Sequence, residues 1–110
     1  MINSREKGAR FERRLAKIFR EYGYDARRGQ QYCGANGDAD VIGLPGVHVE
    51  AKHVQKLNLL NAMSQSKHDA KPGEIPVVMH AKNYTGVFVT LMIGDFMEIF
   101  REYEAGRSEG

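Results

Sequence analysis

The residues best placed to do chemistry are two carboxylates and an ammonium group, Asp40, Glu50 and Lys52. They lie in the run Asp38-Ala39-Asp40-Val41-Ile42-Gly43-Leu44-Pro45-Gly46-Val47-His48-Val49-Glu50-Ala51-Lys52, where two short apolar stretches flank Pro45-Gly46. That pattern predicts a β-hairpin. The second stretch alternates, so Val47, Val49 and Ala51 share one face and His48, Glu50 and Lys52 the other. Whether Asp40 joins Glu50 depends on the turn, because opposed residues of antiparallel strands point to the same side. A two-residue Pro45-Gly46 loop pairs Val41 with Glu50 and turns Asp40 away. A three-residue loop, Leu44 to Gly46, or a five-residue loop centred on Pro45 sets Asp40 opposite Glu50, with Gly46 as the left-handed residue of a bulged turn. An Asp and a Glu facing each other across ~5 Å invite a divalent cation. Mg²⁺, with Mn²⁺ as a substitute, suits such hard oxygens, and the Ala51 carbonyl could add one more. Lys52 would then offset charge on a phosphate or orient a nucleophile. The plainer alternative is an exposed cross-strand charge patch.

Glu12 strengthens the chemical reading. Its neighbours three and four residues away are Gly8, Ala9, Leu15 and Ala16, so it has no local cation on an arginine-rich helix. Glu6 can reach Arg10, and Glu21 can reach Lys17. On a helical wheel Glu12 falls at the edge of the apolar stripe, in line with Phe19. There it suits a metal ligand, direct or through water, or a base beside the metal; the alternative is an ion pair with a cation remote in sequence.

The elements that must position these groups are legible. Asn3, with Glu6 as capping-box partner, starts a helix whose apolar stripe is Phe11, Leu15, Ile18 and Tyr22, and Gly23 stops it. A short strand fits Tyr24 to Arg28. Gly29 to Gly37, with Gln30, Gln31, Tyr32, Cys33 and Asn36, reads as a glycine-rich loop. After the hairpin, a second helix fits Asn58 to Ala70, before Lys71-Pro72-Gly73. Strands fit Pro76 to Ala81 and Val87 to Ile93. Asp95 and Glu98 form a capping box for a last helix, striped by Phe96, Ile99, Phe100 and Tyr103 as core residues. Residues 105–110 are expected to be a flexible tail.

The chain has 110 residues and ordinary globular composition, 42% hydrophobic and 27% charged, which predicts one domain over 1–110 and no disordered protein. One cysteine excludes a disulfide framework and a cysteine-based zinc site. The N-terminal stretch is charged from residue 5 and no apolar run approaches ~18 residues, so neither a signal peptide nor a membrane span is expected. The four histidines lack metalloprotease spacing, and His48 is expected at the surface. Residues 1–28 hold nine basic and four acidic groups, a balance of +5, against −3 for the remainder. That basic segment would attract a polyanion.

Taken together, the segments Lys7-Gly8-Ala9-Arg10-Phe11-Glu12, Ala39-Asp40-Val41-Ile42-Gly43, Val49-Glu50-Ala51-Lys52, Met63-Ser64-Gln65-Ser66-Lys67-His68-Asp69-Ala70 and Ile75-Pro76-Val77-Val78 resemble the PD-(D/E)xK nuclease superfamily. More narrowly, they resemble archaeal and phage Holliday-junction resolvases and related small phage nucleases, over roughly residues 5–103. The resemblance implies an α/β, restriction-endonuclease-like αβββαβ core with a mixed sheet flanked by helices. It also implies Mg²⁺-dependent hydrolysis of DNA phosphodiesters. Asp40 and Glu50 become metal ligands, Lys52 the catalytic lysine, Glu12 the helix carboxylate completing the site, and Gln65 an auxiliary catalytic residue. The usual proline before the aspartate is Ala39 here, and Asp38 offers a competing carboxylate. Arg5, Lys7, Arg10, Arg13, Arg14, Arg27 and Arg28 would hold DNA phosphates, and Gln30 and Gln31 would enter a groove or a junction opening. The partners implied are branched DNA and a second copy of the chain, in the cytoplasm of a bacterial, archaeal or phage-infected cell. A nickase, a flap- or break-processing nuclease, and a non-catalytic DNA-binding module are the competing readings.

Overall fold

The first helix, α1 (Ser4–Glu21), turns its apolar stripe inward, burying Phe11, Leu15, Ala16 and Phe19. These coordinates are a computed structural model, which describes residues 4–29 and 39–109. The expected Asn3 cap, the loop residues Gln30, Gln31, Tyr32, Cys33 and Asn36, and Asp38 lie outside the described residues. Gly23 follows α1 with φ 97°, the left-handed stop anticipated for it. Tyr22, expected in the stripe, lies past the helix end and is exposed.

The strands are β1 (Arg27–Arg28), β2 (Val41–Ile42), β3 (Val47–His53), β4 (Ile75–Ala81) and β5 (Phe88–Leu91). They form one mixed five-stranded sheet in sequential order, antiparallel except for the parallel β3–β4 pair. The parallel pair needs a crossover, supplied by α2 (Leu59–Asp69). Asn58 caps α2 by accepting from the Asn61 amide at 3.1 Å. The helix ends before Lys71-Pro72, since a residue preceding proline is turned away from helical backbone.

Strand alternation divides the core. Val49, Ala51, Val77, Met79 and Ala81 pack with α1, whereas Val78 packs with Ala62 and Met63 of α2. The helices therefore cover opposite faces. Buried Ser66 donates its hydroxyl to the Val77 carbonyl at 2.9 Å, tying α2 to β4.

Two differences from the expected elements stand out. The last helix, α3 (Ile93–Glu109), starts two residues before Asp95, with the Phe96 amide bonded to the Met92 carbonyl, so Asp95 sits inside the first turn and not at the cap. It also continues through residues 105–109, where a flexible tail was expected. Ser108 bonds back to the Glu104 carbonyl and Arg107 stacks over Tyr103, both on the last turns. Phe96, Ile99, Phe100 and Tyr103 are exposed and not core, and α3 packs only weakly on the other elements. Among the described residues no helix is long and apolar enough to cross a membrane.

Candidate active site

The hairpin turn settles how Asp40 relates to Glu50. Val41 pairs with Val49, a register centred on residue 45, which is the one given by the odd-length loops. Gly46 has φ 77°, after a proline whose ring suits the preceding turn position. The Leu44 carbonyl accepts from the Val47 amide at 3.2 Å. Asp40 is a bend just before β2. Its amide donates to the Val49 carbonyl at 2.9 Å, its carbonyl accepts from the Gly29 amide at 2.8 Å, and its Oδ2 accepts from the Ala51 amide at 2.8 Å. The aspartate is thus fixed to both neighbouring strands. Gly43 makes this packing possible. It has φ 113°, and a Cβ there would lie 2.4 Å from the Asp25 carbonyl oxygen.

Asp40, Glu50, Ala51 and Lys52 line one cleft of about 640 Å³, and Glu12 enters it from α1. Arg5, Lys7 and Arg28, three of the basic residues expected to hold phosphates, line the same cleft. Arg10, Arg13, Arg14 and Arg27 are exposed outside it, with Arg10 paired to Glu6 at 3.9 Å.

Electrostatics sets Glu50 apart. It is 8% exposed, and burial pushes its pKa up to about 7; the charges of Asp40 and Asp69 add to the rise while Lys52, 3.7 Å away, opposes it. Glu12 is also raised, first by burial. It does have a partner, remote in sequence: Arg28 Nε donates to its Oε1 at 2.9 Å. That bond lowers the Glu12 pKa and Asp40 raises it. The donor set fits a hard divalent cation. Asp40 and Glu50 are buried carboxylates that repel one another, and a cation beside them would remove that cost.

Gln65 does not line this cleft. It is exposed on α2 and donates to Asp69 Oδ2 at 2.7 Å, and His68 lies 3.1 Å from the other oxygen. Both contacts hold the Asp69 pKa down, Gln65 first. His48 is 2% exposed and buried, not at the surface as expected, because α2 covers the polar face of β3. Asp69 and His48 were not identified from sequence as site residues. The alternation of β3 placed His48 on the Glu50 face, but only the packing of α2 shows that this face is covered.

No family model matches the chain, and no curated protein is detectably similar to it. Among solved structures it is similar to Hjc of Archaeoglobus fulgidus, a Holliday junction resolvase from an archaeal hyperthermophile, with a TM-score of 0.61 and 21% identity over 76% of each chain. The fold implied by the sequence resemblance is therefore met in three dimensions. This chain has the restriction-endonuclease-like fold of that resolvase, a mixed five-stranded sheet with three helices.

Proposed function

We propose that the protein is a metal-dependent DNA endonuclease that hydrolyses phosphodiester bonds in branched DNA, most specifically in four-way junctions. The observation that carries this reading is the convergence of Asp40, Glu50, Glu12 and Lys52 on one cleft, edged by Arg5, Lys7 and Arg28, within a resolvase fold. Asp40, Glu50 and the Ala51 carbonyl would hold Mg²⁺, with Glu12 joining directly or through water. When bound, the ion would neutralise charge developing on the phosphoryl oxygens and make water a better nucleophile at neutral pH.

The chain's own groups have separable tasks. The Ala51 amide fixes Asp40 Oδ2, so the carboxylate is oriented before any ligand arrives. Lys52 is 40% exposed and its ammonium faces the cleft beside Glu50. From there it would stabilise the negative charge on the phosphoryl group as the bond breaks. Arg5 and Lys7 at the cleft mouth would hold flanking phosphates, an attraction that weakens with salt. Gln65 would act through Asp69, as a positioning residue.

A second copy of the chain is the partner that best explains α3. Met92, Ile93, Phe96, Met97, Ile99, Phe100 and Tyr103 form one helical stripe and are 39–74% exposed. At on the order of 100 Å² each, they offer about 700 Å² of apolar surface. That exceeds the ~300–600 Å² of an ordinary monomer's largest patch and approaches the ~800 Å² each partner gives a stable interface. A dimer would present two clefts to two DNA strands.

The decisive assay is cleavage of labelled four-way junction, flap and linear duplex DNA with Mg²⁺, Mn²⁺ or EDTA, with Glu50→Ala in parallel. Junction-selective, EDTA-sensitive cutting that Glu50→Ala abolishes is expected. Equal cutting of all three substrates would replace the resolvase reading with a general nuclease or nickase. Binding without cleavage would leave a DNA-binding module.

A further inference from the structure

Against α2, where His48 and Asp69 lie outside the residues lining the cleft, three potential ligands meet. One ring nitrogen of His48, one carboxylate oxygen of Glu50 and one of Asp69 all lie within 4.8 Å of one another. The elements explain the meeting. His48 and Glu50 are two apart on β3 and so share a face, and α2 crosses that face and ends at Asp69.

The histidine carries the argument. It is 2% exposed, and its Nε2 is buried with no hydrogen-bond partner among the described residues. Buried polar atoms are nearly always satisfied, so an orphan one calls for a partner. Its Nδ1 faces the Glu74 carboxylate at 3.7 Å, and the Lys71 amide holds that carboxylate at 2.8 Å. A carboxylate behind one ring nitrogen is the arrangement that leaves the other nitrogen's lone pair free for a metal. With Nδ1 turned to Glu74, Nε2 is the nitrogen available to the cluster. Asp69 is oriented in the same manner, by Gln65 and His68, and each of its oxygens keeps a lone pair.

We propose that His48 Nε2, Glu50 and Asp69 form a binding site for a divalent first-row transition ion, adjoining the Asp40/Glu50 pair and sharing Glu50 with it. One imidazole and two carboxylates favour ions such as Mn²⁺ or Zn²⁺ over Mg²⁺, which takes oxygen almost exclusively. Ligands ~2.1 Å from a common ion lie ~3–4 Å apart, so the cluster needs to close by about an ångström. The site would bind the transition ion whether or not the protein cuts DNA.

The test uses Mn²⁺ on the full chain, with pulsed electron paramagnetic resonance for ligand identity and calorimetric titration for affinity and stoichiometry. The wild type is expected to show nitrogen coupling to bound Mn²⁺, and His48→Gln to abolish it. Asp69→Asn, a near-isosteric change at the C-terminal end of α2, is expected to weaken the nitrogen-ligated ion roughly tenfold or more. Mg²⁺ affinity should fall less than this, because Asp69 acts on the Asp40/Glu50 pair only through its charge on Glu50. An all-oxygen Mn²⁺ signal in the wild type, or Asp69→Asn titrating like the wild type, would overturn the proposal. Nuclease activity with an all-oxygen signal sinks this site alone, whereas nitrogen-ligated Mn²⁺ in a protein that never cleaves sinks only the nuclease reading.

Discussion

Replacing the Glu50 carboxylate by its neutral isostere should stabilise the metal-free protein at alkaline pH, and by an amount the structure sets. In the folded chain the Glu50 pKa rises from 4.5 to about 7, chiefly because burial penalises the charged form. Between those two values the native state holds a proton that the unfolded chain has released. Stability therefore falls as pH rises through this window and is level above it. At about 1.4 kcal/mol per pKa unit, the loss is about 3 kcal/mol. For a domain of this size that corresponds to roughly 10–20 °C in Tm. Thermal unfolding of wild type and Glu50→Gln in EDTA, from pH 5 to 9, isolates the effect, because other titrating groups cancel in the difference. The two proteins should unfold nearly together at pH 5, and Glu50→Gln should be the more stable by roughly 10–20 °C at pH 8. Mg²⁺ or Mn²⁺ should recover the wild type at pH 8 by binding only the folded form. Parallel pH curves for the two proteins would refute the claim that this carboxylate is buried without an adequate counter-charge.

Lys52→Met should leave folding intact, since Lys52 is half-exposed, and lower junction cleavage about 10²-fold or more in a single-turnover assay. Arg28→Ala should change stability by no more than about 1 kcal/mol, as its pair with Glu12 is partly solvated, yet weaken DNA binding and reduce the salt slope by about one in a fluorescence titration. Gly43→Ala forces a Cβ onto the Asp25 carbonyl at a positive φ and should cost about 3 kcal/mol or more by denaturant unfolding. Phe100→Asp on the exposed stripe of α3 should convert a dimer to a monomer in sedimentation, with each monomer still folded.

What the sequence made legible follows from which interactions are local. The hairpin alternation, the Gly46 turn and the α1 stripe are short-range patterns, and each appears in the fold at the residues that carry it, apart from Tyr22 beyond the end of α1. The odd-loop register could be framed as an alternative but not chosen, because turn length depends on how Gly43 packs against Asp25 and Ala26, a contact between segments separate in sequence. The same limit applies to Glu12. Its lack of a helical partner was visible, whereas Arg28 enters only when β1 is laid beside α1. The helical period of α3 was visible too, but a period cannot say whether a stripe meets its own chain or another. His48 was misplaced at the surface for a related reason: alternation assigns a face, and only tertiary packing covers it.

The cleft's acidic groups differ in how their charge is settled, and that difference orders their roles. Glu12 has a counter-ion built into the fold, Arg28 at 2.9 Å. Asp40 has its Oδ2 fixed by a backbone amide. Among the described residues, the cation beside Glu50 is an ammonium at 3.7 Å on a half-exposed side chain, set against burial and two neighbouring carboxylates. Glu50 is therefore the group whose charge most needs a cation, and Glu12 the one that needs it least while Arg28 stays in place. Arg28 also lines the cleft where phosphates would lie, and a guanidinium that turns to a phosphate gives up part of its hold on Glu12. Binding of a nucleic-acid backbone and recruitment of the helix carboxylate to the cation would then be coupled through one arginine. The site would be fully acidic only when a substrate is present to draw that arginine away.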